Sequence, residues 1–213
     1  MKISLSKLYA ITDRNISHLS HFEQVERLVD GGARLIQLRE KELLPGEWFD
    51  DARRSVEYCK LHNVTLLIND RVDLAIILDA DGVHLGQTDL PVAAARKLLK
   101  ADAIIGLSTH TLAQATAAIT QDADYIAFGP VFPTLTKADP DAVVGLRLLA
   151  DVCKIVDSIP VVAIGGITRE NAVSVFDSGA TSIAVISDLL AIECDIATQT
   201  RRLVDLLSNN VQR

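Results

Sequence analysis

The chain has 213 residues, of which 21 are basic and 28 acidic, giving a formal charge of −7. Apolar residues make up 49% and charged ones 23%, which excludes a disordered or fibrous chain. The acidic balance argues against general nucleic-acid binding, and no run approaches the roughly 18 apolar residues of a membrane span.

In chain order, short aliphatic runs fall at 8–12, 35–38, 65–68, 82–85, 104–107, 125–128, 161–164 and 182–186. Most are too continuously apolar to be strands with one wet face, so they suit parallel strands buried on both sides. Helix-like segments alternate with them at 22–29, 48–61 (after Pro45–Gly46), 91–99, 111–119, 144–156, 171–176 and 189–207. In the first of these, Phe22, Val25, Leu28 and Val29 form one apolar stripe. GGA, ADG, DAD and SGA (31–33, 80–82, 122–124, 178–180) recur just before strands, where a left-handed turn closes a helix. About eight strand–helix units predict a single α/β domain over residues 1–213, a (β/α)8 TIM barrel. An open doubly wound sheet is the alternative, weakened by the lack of GxGxxG or GxxxxGK[ST] at the first helix.

The start of the chain, with an apolar stretch only over 8–11, is too short for a signal-peptide core. Cys59, Cys153 and Cys194 form no CxxC and read as small apolar fillers of a cytoplasmic protein. Whether the chain forms a homo-oligomer stays open.

A barrel gathers its chemistry at the carboxyl ends of the strands. Just past the runs stand Gln37, Arg39 and Lys41; Asn69 and Asp70; Gln87 and Asp89; Ser108 and His110; Thr134, Thr136 and Lys137; Gly165 and Gly166; and Ser187 and Asp188. Asp70 and Asp89 follow neighbouring strands, so their hard oxygens suit Mg2+, although each also reads as a turn or helix cap. Arg39 and Lys41, two apart, point the same way, toward a bridged diphosphate or into a salt-bridge network. The segment 129–143, with three prolines and a polar set, reads as a ligand-binding loop or lid. GGITREN (165–171) reads as a late phosphate loop or a plain glycine turn. His84 reads as an interior hydrogen-bonded residue, His110 as a mouth or cap residue, and His18, His21 and His62 as surface residues. No Ser/His/Asp or Cys/His set stands out.

With these residues in hand, the chain resembles the thiamine-phosphate synthase family over nearly its full length. The ordered motifs are YAITDR (9–14), QLREK (37–41), IND (68–70), GVHLGQTD (82–89), GLSTHT (106–111), GPVFPTLTKAD (129–139) and AIGGIT (163–168). The resemblance implies a Mg2+-dependent transferase that joins a hydroxymethylpyrimidine diphosphate to hydroxyethylthiazole phosphate, or to the carboxylated form of that thiazole. It implies that Gln37, Leu38, Arg39, Glu40, Lys41 and Asn69 line the pyrimidine diphosphate site, with Ser108 and Lys137 touching the same substrate. It assigns the metal to Asp70 and Asp89; on physical grounds Arg39, Lys41 and Lys137 are expected to take the negative charge of a dissociating diphosphate and so serve as the catalytic cations. The thiazole phosphate falls to Thr134, Leu135, Thr136, Gly166, Ile186 and Ser187. A thiazole tautomerase of the same superfamily or a non-catalytic thiazole- or thiamine-phosphate-binding barrel are the alternatives. Either would tolerate loss of the two aspartates, which are present. A phosphosugar isomerase or epimerase needs an acid/base pair that the chain does not offer.

Overall fold

The computed structural model describes residues 5–134, 136, 141–191 and 195–210. Eight strands, β1 (Leu8–Ile11), β2 (Leu35–Leu38), β3 (Thr65–Asn69), β4 (Gly82–Leu85), β5 (Ile104–Thr109), β6 (Tyr125–Phe128), β7 (Val161–Ile164) and β8 (Ser182–Val185), close a parallel barrel in sequence order. Each pairs in parallel with the next, and β1 closes on β8 through Leu8–Ile183, Tyr9–Ala184 and Ala10–Val185. Strand side chains alternate. Tyr9, Ile11, Leu35, Leu67, Tyr125, Ala127, Val162 and Ala184 pack together inside the cylinder. Ala10, Ile36, Leu38, Leu66, Ile68 and Ile105 join the larger core beneath the helices.

The outer layer consists of α1 (Arg14–Ser17), α2 (His21–Asp30), α3 (Pro45–Leu61), α4 (Val72–Leu78), α5 (Val92–Leu98), α6 (Leu112–Ala118), α7 (Gly145–Ile155), α8 (Ala172–Asp177), α9 (Ser187–Leu190) and α10 (Ile196–Asn210). Local chemistry sets several starts. Ser20 and Glu23 form a capping box on α2, Pro45 opens α3, and the Thr111 hydroxyl accepts the Gln114 N–H on α6. Left-handed residues at Gly32, Asp79, Asp122 and Gly179 close the turns that return the chain to the strands.

Three helical features differ from the sequence reading. The VDLAIIL segment forms α4, whose apolar residues include the exposed Ile76 and Ile77, so no polar face marks its period. A short α1 follows Asp13, which caps it by accepting the Asn15 N–H. The segment expected as one helix over 189–207 is split into α9 and α10, because Ala191 turns extended and the Asp195 carboxylate accepts the Thr198 N–H at a new start. Burial pushes the Cys59 thiol up to about 12 and the Cys153 thiol to about 11, as expected of inert fillers. Cys194 lies outside the described residues. Among the described residues, no helix is long and apolar enough to cross a membrane.

Candidate active site

A cavity of about 430 Å³ opens at the carboxyl end of the barrel. On its β2–β4 side it is lined by Gln37, Arg39, Lys41, Asn69, Asp70 and Asp89. Ser108 and His110 follow on β5, and Thr134, Thr136, Gly166, Ile186 and Ser187 complete the wall from β6 to β8. Residues scattered over the whole sequence thus meet at one mouth, as the closure of the barrel requires.

Asp70 takes a left-handed backbone (φ 60°) and donates its N–H to the His84 carbonyl at 2.8 Å. That conformation, which aspartate tolerates better than most side chains, ends β3 sharply. The Asp70 carboxylate accepts the Lys41 ammonium at 2.5 Å. Asp89 accepts the Gly86 N–H at 2.6 Å and so closes its own turn; Pro91, not Asp89, stands at the cap position before α5, with no side-chain cap bond, which removes the helix-cap reading of Asp89. Partial burial, and then the adjoining Asp70 carboxyl, hold the Asp89 carboxyl above its ordinary range. The two carboxyls therefore converge on one point. Among the described residues, no cluster of three or more His, Cys, Asp or Glu exists that would hold a metal alone. Two hard oxygen ligands with open positions suit a Mg2+ ion that completes its shell with water and substrate phosphate. The donor set fits.

Arg39 donates to the Asp13 carboxylate at 2.6 Å. Its backbone N–H is fixed by the Thr12 hydroxyl at 3.2 Å. Two side chains depart from the expected site. Leu38 is fully buried in the core beneath the helices, because alternation along β2 sends it opposite to Gln37. Glu40 turns away from the mouth cavity and bonds the N–H groups of Glu42 and Leu43, with His21 at 3.2 Å and Arg14 at 3.7 Å. His21 is itself corrected: it is fully buried, bonded to the Thr12 hydroxyl at 2.7 Å, and burial lowers its pKa. Leu135 and Lys137 lie outside the described residues.

Opposite the charged sector, segment 130–132 is laid along the β7–α8 turn. Val131 donates to the Ile164 carbonyl and Phe132 to the Gly165 carbonyl. Gly165 and Gly166 have φ of 98° and 62°, and a Cβ on Gly166 would stand 2.4 Å from the Pro133 carbonyl oxygen. Glycine here serves both a left-handed backbone and this close approach. His110 ties the same wall to β5 through the Gly129 carbonyl at 2.8 Å and Asp141 at 3.4 Å.

The profile of the thiamine monophosphate synthase (TMP-TENI) family matches residues 8–189. The chain belongs to the thiamine monophosphate synthase family. Thiamine-phosphate synthase of Clostridium novyi is 46% identical over 86% of this chain and 90% of its own length. The thiamine biosynthetic bifunctional enzyme TH1 of Arabidopsis thaliana is 45% identical over 92% of this chain, which spans only 38% of that protein. The solved thiamine phosphate pyrophosphorylase from Pyrococcus furiosus superposes with a TM-score of 0.87 at 36% identity, covering 97% of each chain.

This member of the family carries a buried floor that motif reading passes over. Tyr9 and Tyr125 are fully buried, yet both lie inside the barrel beneath the mouth with their hydroxyls 3.0 Å apart. Phenols placed in otherwise aliphatic strands are the one sequence signal of this, since a buried hydroxyl needs a partner.

Proposed function

We propose that this family member is a thiamine-phosphate synthase that transfers the 4-amino-2-methylpyrimidinylmethyl group from its diphosphate to the ring nitrogen of hydroxyethylthiazole phosphate. The observation that carries the reading is the meeting of Asp70, Asp89, Arg39 and Lys41 on one sector of a mouth whose far wall is the glycine-rich turn at Gly166. That division suits a diphosphate on one side and a phosphate monoester on the other. The carboxylated thiazole fits the same division.

Asp70 and Asp89 would hold a Mg2+ ion, which would supply charge neutralisation for the departing diphosphate. Arg39 and Lys41 bind its remaining oxygens, the guanidinium in a planar fork and the ammonium as a point charge. Gln37, Asn69 and Ser108 bind the pyrimidine half. Thr134, Thr136, Gly166, Ile186 and Ser187, with Leu135, bind the thiazole phosphate. The methylene–oxygen bond breaks first, and its electron pair leaves with the diphosphate. The aminopyrimidine delocalises the positive charge left on the methylene. The thiazole nitrogen then supplies the pair that forms the carbon–nitrogen bond. No protein nucleophile is used, consistent with the lack of a nucleophile–base pair in the sequence. Holding the two reactants in attack geometry contributes up to about 7–11 kcal/mol.

Lys137, by its motif position, adds a third cation over the diphosphate. Lys137→Ala therefore lowers kcat at least about tenfold while thiazole-phosphate affinity, measured by calorimetry, changes less than twofold. Equal small losses in both would remove Lys137 from this role. The reading itself is tested by incubating the protein with both substrates, with and without Mg2+. Thiamine phosphate and diphosphate in equal amounts, only with the metal, are expected. Metal-independent isomerisation of the thiazole alone would replace the reading with a tautomerase.

A further inference from the structure

One member of the motif at 9–14, Asp13, does not line the mouth, yet it holds one of the cations there. Its Oδ2 accepts from Arg39 Nη1 at 2.6 Å. The two side chains are 8% and 18% exposed, shielded enough that salt does little to loosen the pair. A second cavity, of about 360 Å³, opens between α1 and the β2–α3 turn, lined by Asp13, Arg14, Asn15, Glu40 and Glu42 among others. Arg39 and Lys41 line both cavities, whereas Asp13 lines the outer one and not the mouth. Arg39 therefore stands as a partition, with the mouth on one side and Asp13 on the other.

Asp13 is itself fixed from several sides. Its N–H donates to Oε1 of the buried Gln24 at 2.9 Å, and its carbonyl accepts the Ser17 hydroxyl at 3.1 Å. Oδ1 accepts the Asn15 N–H at 3.0 Å and so caps α1. The other carboxylate oxygen is the one that takes Arg39. At the backbone end of the arginine, the Thr12 hydroxyl accepts the Arg39 N–H at 3.2 Å. The bond to Asp13 uses one of five guanidinium N–H groups, which leaves most of the planar fork to a ligand. An arginine tethered in this way has lost rotamer freedom before substrate arrives, so binding does not have to order it. The carboxylate also has a cost, because it stands near a site for anions and weakens their attraction to Arg39. Orientation and attraction thus predict opposite results when the carboxylate is removed.

We propose that Asp13 is the positioning residue of Arg39, holding the guanidinium from the outer cavity so that its remaining N–H groups face the diphosphate of the pyrimidine substrate. This rests on the reading of the chain as a thiamine-phosphate synthase. Asp13 touches neither reactant and acts through Arg39. Orientation outweighs the weakened attraction, since a misplacement of about 1 Å in a reacting site costs up to about 10²-fold in rate. Serine separates this role from the helix cap. Its hydroxyl caps a helix about as well as a carboxylate does, but it has no second oxygen to offer Arg39. Alanine removes both functions at once.

The test measures kcat/KM for the pyrimidine diphosphate, thiazole-phosphate affinity by calorimetry, and melting temperature in wild type, Asp13→Ser and Asp13→Ala. It then repeats Asp13→Ser in an Arg39→Ala background. Both single variants are expected to lose at least about tenfold in kcat/KM, with thiazole-phosphate affinity within about twofold of wild type. Asp13→Ala is expected to melt about 2–4 °C below Asp13→Ser, which keeps the cap. In the Arg39→Ala background, Asp13→Ser is expected to change kcat/KM by less than about twofold, since the group it acts on is gone. If Asp13→Ser does not fold, Asp13→Asn takes its place, because one amide oxygen cannot serve both the α1 cap and Arg39. A kcat/KM that rises or stays unchanged in the folded variant, a parallel loss of thiazole-phosphate affinity, or a tenfold loss that persists without Arg39 would overturn the proposal. A wild type that makes no thiamine phosphate would instead remove the reading, and the proposal with it.

Discussion

Asp89 is held in a place that costs the fold free energy. Its carboxyl lies partly buried against Asp70, and both causes raise its pKa above the ordinary 3.8. The folded protein therefore keeps that proton to higher pH than the unfolded chain does. The penalty is absent below the ordinary carboxylate range and complete once pH exceeds the raised value. Asp89→Asn is expected to melt higher than wild type near neutral pH when no divalent ion is added, with the advantage shrinking as pH falls toward 4. The same variant loses turnover by at least about 10²-fold, as the loss of a metal ligand implies. A melting curve series against pH checks the first statement and a steady-state assay the second. Stability traded for function at single residues is where local sequence rules fail. The sequence makes Asp70 and Asp89 visible as carboxylates after adjacent strands. It does not reveal that they touch, because that depends on the left-handed turn at Asp70 and the tight Gly86–Asp89 turn.

The turn between β2 and α3 carries both Arg39 and Lys41, and it is anchored from behind. Glu40 accepts the N–H groups of Glu42 and Leu43, His21 braces Glu40, and Thr12 bonds both His21 and the Arg39 N–H. Glu40→Ala leaves those N–H groups and the buried His21 with lost partners, at a cost of about 1–3 kcal/mol. It also loosens the two cations, so KM for the pyrimidine diphosphate is expected to rise more than KM for the thiazole phosphate. Urea unfolding and paired saturation curves test this. Alternation along QLREK predicts that Gln37, Arg39 and Lys41 share a direction, and all three line the mouth. The same alternation, applied strictly, already turns Leu38 and Glu40 away from it; the family motif grouped all five together. His21 was illegible for a different reason, since its position on α2 meets the barrel only through the tertiary packing of Trp48 and Thr12 around it.

The order of elements in the whole chain was written in hydrophobic pattern. Runs buried on both faces separate cleanly from amphipathic segments, and all seven expected helical segments correspond to helices, the last as a pair. The apolar α4 was lost because a helix without a polar face has no readable period. The barrel then dictates that one end collects every strand-end side chain, which is why the mouth was predictable and its buried floor was not. The most direct measurement is calorimetric titration of the pyrimidine diphosphate into wild type, Asp70→Asn and Asp89→Asn, with and without Mg2+. Mg2+ should tighten binding at least tenfold in wild type and by less than twofold in either variant, while thiazole-phosphate affinity stays the same in all three. Equal affinity with and without the metal in wild type, or a parallel loss for both ligands in the variants, would contradict a mouth divided between a metal-bridged diphosphate and a separate monoester.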